Sequence, residues 1–200
     1  MIAPDGSDRV QHVNVKIFAE EPAPSDLTPA IQIFHRWIRE NGSGELLVDV
    51  ADYTHVPDGP GVVLIGHEAN CSLDCAAGRL GLLYNRKAPS GGGFPDRLLQ
   101  AFRAALLACR RLEAEPEFAG SLKFNGARCE VTLNDRLLAP NSEETWLALK
   151  PDFESVLASL FRNTGCAMDR LGEPRERFRI GVSARSAVST DSLLGLLNPV

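Results

Sequence analysis

The sequence predicts an α+β fold, in which a mostly antiparallel sheet has about three helices packed on it. Some segments alternate apolar and polar residues with the period of two that is typical of strands, and others carry apolar stripes with the 3.6-residue period of helices. Paired strands and helices follow each other in the order βαβ-ββα-ββα-ββ, which favours α+β. The 200 residues are 44% apolar and 24% charged, an ordinary composition for a chain with its own core.

The opening unit reads as βαβ. Residues 12–17 alternate polar and apolar side chains, which predicts a strand with one buried face. A helix is predicted from Pro29, since proline at the first helical position loses no hydrogen bond. The turn residues at 41–44 end this helix, and residues 46–50 form the next strand.

The middle of the chain predicts two further strands and a long helix. Residues 62–65 are a continuous apolar run, which we expect to be a central strand covered on both faces. A strand over 80–84 follows, and the glycines at 91–93 lead into a helix near Pro95.

The last third predicts a hairpin, a helix and a second hairpin. Residues 122–133 form the first hairpin around Asn125-Gly126, a strong turn signal. The helix that follows has Asn141 as its N-cap and is broken or kinked at Pro151. Residues 166–182 supply the closing hairpin.

Residues 83–90 and residues 132–141 have similar sequences, and each segment precedes a predicted helix. This similarity suggests a ββα duplication relating residues 62–113 to residues 121–162. The predicted organisation is a loose lead-in over 1–10, one α+β domain over 11–185 with sub-units 11–60, 61–115 and 120–185, and a C-terminal tail or short helix over 186–200.

Charge and cysteine usage narrow the function classes. The formal net charge of −5 and the pI of about 5.4 disfavour binding to nucleic acid. The chain has no apolar run long enough for a membrane span, so no membrane partner is expected. Five cysteines without a secretory signal predict free thiols and a cytoplasmic protein. The common cofactor-binding motifs are absent, and no cofactor is predicted.

The densest polar group of residues surrounds the predicted central strand. A histidine at the end of a buried strand is held rigidly and has a pKa suited to acid–base chemistry when a carboxylate orients it. Adjacent strand residues point to opposite faces, so Glu68 is a poorer partner for His67 than a more distant acid or His55. The candidate catalytic residues are His67, Glu68, Asp52, His55 and Asp74.

A metal site is the weaker interpretation of this region. His67, Cys71 and Cys75 are spaced by four residues and would align on one helix face, with His55 or Glu68 as a fourth ligand. The intervening residues have low helical propensity, so no metal is predicted.

A second polar cluster follows a predicted strand in each of the two similar segments, residues 83–90 and 132–141. Cations beside a helix N-terminus suit a carboxylate or phosphate ligand. The alternative is that the asparagines bond turn amides while the cations are solvated. The candidate ligand-binding residues are Tyr84, Asn85, Arg86, Lys87, Asn134 and Arg136.

The leading functional hypothesis is a non-enzymatic or regulatory domain that binds a small ligand, for which an anion is one option, or associates with its own copy. The alternative is a small hydrolase- or lyase-type enzyme that uses His67 with a nearby carboxylate. A structural or assembly component is the third hypothesis. A concave pocket that brings His67 within hydrogen-bond reach of Asp52, His55 or Asp74 would favour the enzyme, and a flat apolar patch would favour an interface.

Overall fold

The computed structural model describes residues 9–40, 42 and 44–197, and it confirms the α+β class. Most of the predicted lead-in, residues 1–8, lies outside the described residues, as do Asn41 and Ser43 of the predicted helix stop and the last three residues of the predicted tail. The strands are β1 (Val13–Ala19), β2 (Leu47–Tyr53), β3 (Gly61–Gly66), β4 (Ala69–Asp74), β5 (Gly81–Arg86), β6 (Phe124–Leu133), β7 (Cys166–Leu171) and β8 (Phe178–Ala184). The α-helices are α1 (Pro29–Glu40), α2 (Phe94–Glu113), α3 (Glu143–Leu160) and α4 (Thr190–Leu197).

All eight strands form one antiparallel sheet in the order β2-β3-β4-β5-β1-β6-β8-β7. The first strand lies in the interior of the sheet, where Val15 is opposite Tyr84 of β5 and Val131 of β6. β2 and β7 are the edges. No helix among the described residues is long and apolar enough to cross a bilayer.

The helices pack on one face of the sheet. One continuous apolar core joins the buried faces of the helices to alternate residues of the strands, including Val15, Leu82 and Val131. Phe34, Trp37, Phe102 and Cys109 are buried in it.

The strand residues between those core positions point to the opposite side of the sheet. We call that side the open face, because no helix of the described residues contributes to a core there. Its interior strands β4, β5 and β1 carry Asn70, Asn85 and Asn14.

The predicted hairpin at Asn125-Gly126 is wrong, because β6 runs unbroken through both residues. Asn125 Oδ1 accepts the Ala127 N–H at 2.9 Å. A Cβ atom on Gly126 would lie 2.5 Å from the backbone oxygen of Val188, so the glycine allows close approach of another segment and does not form a turn. Residues 121–162 therefore hold one strand where residues 62–113 hold three, and the proposed ββα duplication is not observed.

Four local predictions also need correction. The alternation over β1 predicted one exposed face, but the strand is buried on both faces. It lies in the interior of the sheet, between β5 and β6. β3 is buried as expected but lies second from an edge. The third helix continues through Pro151, which lies on its exposed side. Its N-cap is Ser142, whose Oγ accepts the Thr145 N–H at 3.2 Å, in place of Asn141.

Candidate functional site

The structure divides the predicted catalytic residues between the two ends of β3. His67 follows Gly66 at one end, while Asp52 is opposite Val62 at the other. Asp74 lies at the same end as Asp52, since its neighbour Leu73 also pairs with Val62. Four residues of strand separate Val62 from His67, a distance of about 16 Å. The fold therefore does not bring His67 within hydrogen-bond reach of Asp52 or Asp74, and the acid–base role of His67 stays a prediction.

Asp52 is engaged in the turn that follows β2. Its Oδ1 accepts hydrogen bonds from the Thr54 N–H at 2.9 Å and from the Thr54 hydroxyl at 2.7 Å. The backbone N–H and then the hydroxyl of Thr54 lower the pKa of the Asp52 carboxyl. His55 lies in the same exposed turn. These contacts are those of a turn held by its own polar groups.

The other end of the sheet brings Glu68, Tyr84 and Arg86 together. The Arg86 Nε donates to the Ala88 carbonyl at 2.8 Å, and its Nη2 lies 3.0 Å from Glu68 Oε2. The buried Tyr84 hydroxyl accepts from Gln100 Nε2 at 2.9 Å, and burial raises the pKa of Tyr84. The Arg86 cation is thus already matched by acceptors of the protein.

Lys87, Asn134 and Arg136 bond main-chain groups. The Lys87 Nζ donates to the Gly66 carbonyl at 2.6 Å. The Asn134 N–H donates to the His12 carbonyl at 2.9 Å, and the Arg136 guanidinium donates to the Arg175 carbonyl. The two cations therefore bind backbone carbonyl groups instead of being fully solvated, and the Asn134 contact is made by its backbone.

The sequence did not indicate the contact between His12 and Asp135. His12 Nδ1 lies 2.6 Å from Asp135 Oδ1, and the other carboxylate oxygen accepts the N–H groups of Gln11 and His12. The contact joins the start of β1 to the loop after β6. Nothing in either local sequence pattern could have paired residues so far apart.

The cysteine spacing does not produce a helical ligand face. Cys71 lies within β4 and contributes to the helix side of the sheet, and Cys75 follows the end of that strand. Within the part of the chain that the structure describes, no group of three or more His, Cys, Asp or Glu side chains is arranged to hold a metal.

A row of three asparagines crosses the open face. Asn85 of β5 is directly opposite Asn70 of β4 on one side and Asn14 of β1 on the other. Thr132 of β6 continues the row beyond Asn14. Adjacent strands are about 4.8 Å apart, so the three amides span about 10 Å. We call Asn14, Asn70 and Asn85 the asparagine row.

Within the part of the chain that the structure describes, two amide oxygens of the asparagine row are buried without a hydrogen-bond partner, Oδ1 of Asn14 and Oδ1 of Asn70. Asn14 is only 3% exposed, so bulk solvent does not reach most of this side chain. Leaving a buried polar group unsatisfied costs about 1–3 kcal/mol. Two such groups in one row indicate that an atom outside the described residues completes their hydrogen bonding.

The charged side chains next to the row are paired with each other. Lys16 Nζ lies 2.5 Å from Asp74 Oδ1, and both side chains are 9% exposed. Glu130 contacts the guanidinium groups of Arg79 and Arg179. The charges of Lys16 and Glu130 beside the row are therefore compensated.

Apolar side chains border the row on the open face. Ile65 is opposite Asn70, and Leu83 lies two residues from Asn85 on the same side of β5. Both are partly exposed. The Arg79 guanidinium stacks 4.2 Å from the centre of the Phe18 ring further along this face. The arrangement offers hydrogen bonds at the row and apolar contact beside it.

Asn14 and Asn70 are not among the candidate residues predicted from the sequence, and Asn85 is predicted as a ligand-binding residue that follows a strand. The available signal was the position of Asn14 within the period-two pattern of β1, which places it opposite the core-facing valines. Comparisons with protein-family models, with curated proteins and with solved structures found no match.

Proposed function

We propose that this protein is a non-enzymatic ligand-binding protein, and that the asparagine row on the open face binds a small polar molecule. The observation that carries the proposal is the pair of buried, unpartnered amide oxygens of Asn14 and Asn70. A ligand with N–H or O–H donors would satisfy both. The free protein would carry their desolvation penalty, and binding would relieve it.

The ligand site suggested by the sequence around Arg86 and Lys87 has less support. Arg86 already contacts the Ala88 carbonyl and Glu68, and Lys87 contacts the Gly66 carbonyl. An anion would have to displace these acceptors before it could use the two cations. Asn14 and Asn70 offer two acceptor oxygens that no group of the described residues uses.

The test is a screen of small polar molecules against the wild-type chain by thermal shift, followed by calorimetry on each hit. Asn14→Leu and Asn70→Leu remove the acceptors while keeping the branched side-chain shape. Each should weaken binding at least about tenfold, which corresponds to about 1.4 kcal/mol. Ser183→Ala, an exposed change on the same face of β8, is the matched control and should bind as the wild type does. Hits that bind both asparagine variants with unchanged affinity would refute the proposed site.

Self-association is a second candidate, and the edge strand β2 favours it. Leu46 is 61% exposed and Val48 is 57% exposed at this edge, where one side of the backbone has no neighbouring strand. Such an edge can pair with the same strand of a second copy. Val48→Lys should then lower the mass measured by sedimentation equilibrium, whereas Leu137→Lys, at a fully exposed loop position, should not. A wild type that stays monomeric at high concentration would rule the pairing out.

A further inference from the structure

We infer that the ligand of the asparagine row presents a neutral, planar amide-type group, a carboxamide or a ureido group, on an apolar body. This inference rests on the proposed function and names the class of molecule that the same site would take. It differs from the anionic ligand that the sequence suggested. Three properties of the open face support it: its hydrogen-bonding groups, its charge balance and its apolar border.

The hydrogen-bonding groups of the row call for a ligand with both donors and acceptors. An asparagine amide has one acceptor oxygen and an NH₂ group with two donors. The unpartnered oxygens of Asn14 and Asn70 need donors from the ligand. The NH₂ groups of the row can donate to an acceptor on the ligand. A carboxamide or ureido group supplies N–H donors and a carbonyl acceptor in one plane.

The charge balance disfavours an ionised ligand. Lys16 is neutralised by Asp74, and Glu130 by Arg79 and Arg179. A carboxylate would meet the unpartnered oxygens, and Lys87, two residues past Asn85, is already bound to the Gly66 carbonyl. An ammonium group would satisfy those oxygens but supplies no acceptor for the amide N–H groups. Asp49, which lies across Ile65 from Asn70, is exposed to solvent.

The apolar border accounts for the body of the ligand. Ile65 lies beside Asn70, and Leu83 lies beside the middle of the row. Both side chains are partly exposed, as are Asn70 and Asn85. The ligand would enter over Asn70 and Asn85, place its apolar part on Ile65 and Leu83, and direct its polar group toward the buried Asn14.

Three probes of matched shape test the class: phenylacetamide, phenylacetate and phenethylamine. Each is titrated into the ¹⁵N-labelled full chain while the side-chain NH₂ signals of the asparagines are followed by NMR. We expect phenylacetamide to shift the signals of Asn14, Asn70 and Asn85 at millimolar concentrations and to bind at least about tenfold more tightly than either ion. Asn70→Leu should abolish these shifts, and Ser183→Ala should leave them unchanged.

The outcomes separate the ligand class from the proposed function. If an ion shifts the NMR signals of the asparagine row as strongly as phenylacetamide does, the amide class is wrong while the site remains. If no probe shifts these signals, the amide class is again wrong, and the library screen alone decides whether the row binds another molecule. If phenylacetamide binds Asn14→Leu, Asn70→Leu and wild type equally, both the class and the site are wrong.

Discussion

Replacing Asn14 with Leu should make the protein more stable while removing ligand binding. Leu has the same number of side-chain heavy atoms and the same branching as Asn, so it fits the space without a large change in packing. The substitution removes a buried amide whose oxygen has no partner, a penalty of about 1–3 kcal/mol. Allowing for imperfect packing of the methyl groups, we expect a net gain of about 1–2 kcal/mol.

Thermal and urea unfolding measure this gain. For a chain of this size, each kcal/mol corresponds to about 2–4 °C, so the Tm should rise by about 2–8 °C. The matched control is Asn125→Leu in β6, where the amide oxygen accepts the Ala127 N–H and its loss should destabilise by about 0.5–1.5 kcal/mol. If Asn14→Leu were destabilised as Asn125→Leu is, the Asn14 amide would be hydrogen-bonded in the free protein and the reasoning would fail.

Three further predictions concern other groups. Lys16→Met should destabilise by about 3–5 kcal/mol in urea, because the buried Asp74 loses its counter-charge; a change below about 1 kcal/mol would contradict this. Thr54→Val should raise the pKa of Asp52 part of the way to its ordinary value in an NMR titration, since the backbone N–H still donates, and an unmoved pKa would contradict it. The lowered pKa stabilises the fold above the ordinary value near 3.9, and this contribution is lost as the pH falls through the folded-state pKa. The Cys109 thiol, whose pKa burial raises, should label far more slowly than the partly exposed thiols in the native state; equal rates would contradict its burial.

Periodicity predicted the faces of the strands better than their positions in the sheet. The alternation over residues 13–17 correctly identified the core-facing side chains of β1. It could not show that Asn14 and Lys16 are buried as well, because that depends on β5 and β6 pairing from distant parts of the chain. The same limit applies to the asparagine row. Asn14, Asn70 and Asn85 become neighbours only through strand register.

Local turn signals were ambiguous where tertiary contacts decide the backbone. Asn125-Gly126 has the composition of a tight turn, yet β6 continues through both residues. Gly126 has no side chain, which lets the backbone of Val188 approach closely. Arg86 is the last residue of β5 and Lys87 follows it, but Arg86 binds the Ala88 carbonyl and Lys87 binds the Gly66 carbonyl at the end of β3. Sequence spacing identifies polar groups at strand ends. It does not show which of them the fold has already satisfied.

The most direct measurement of the central claim is a crystal structure of the chain with the tightest ligand from the screen. The account predicts ligand density on the open face, with donor atoms within about 2.7–3.2 Å of the amide oxygens of Asn14 and Asn70. Ligand bound elsewhere, with ordered water or a rotated amide completing the hydrogen bonds of both asparagines, would contradict it.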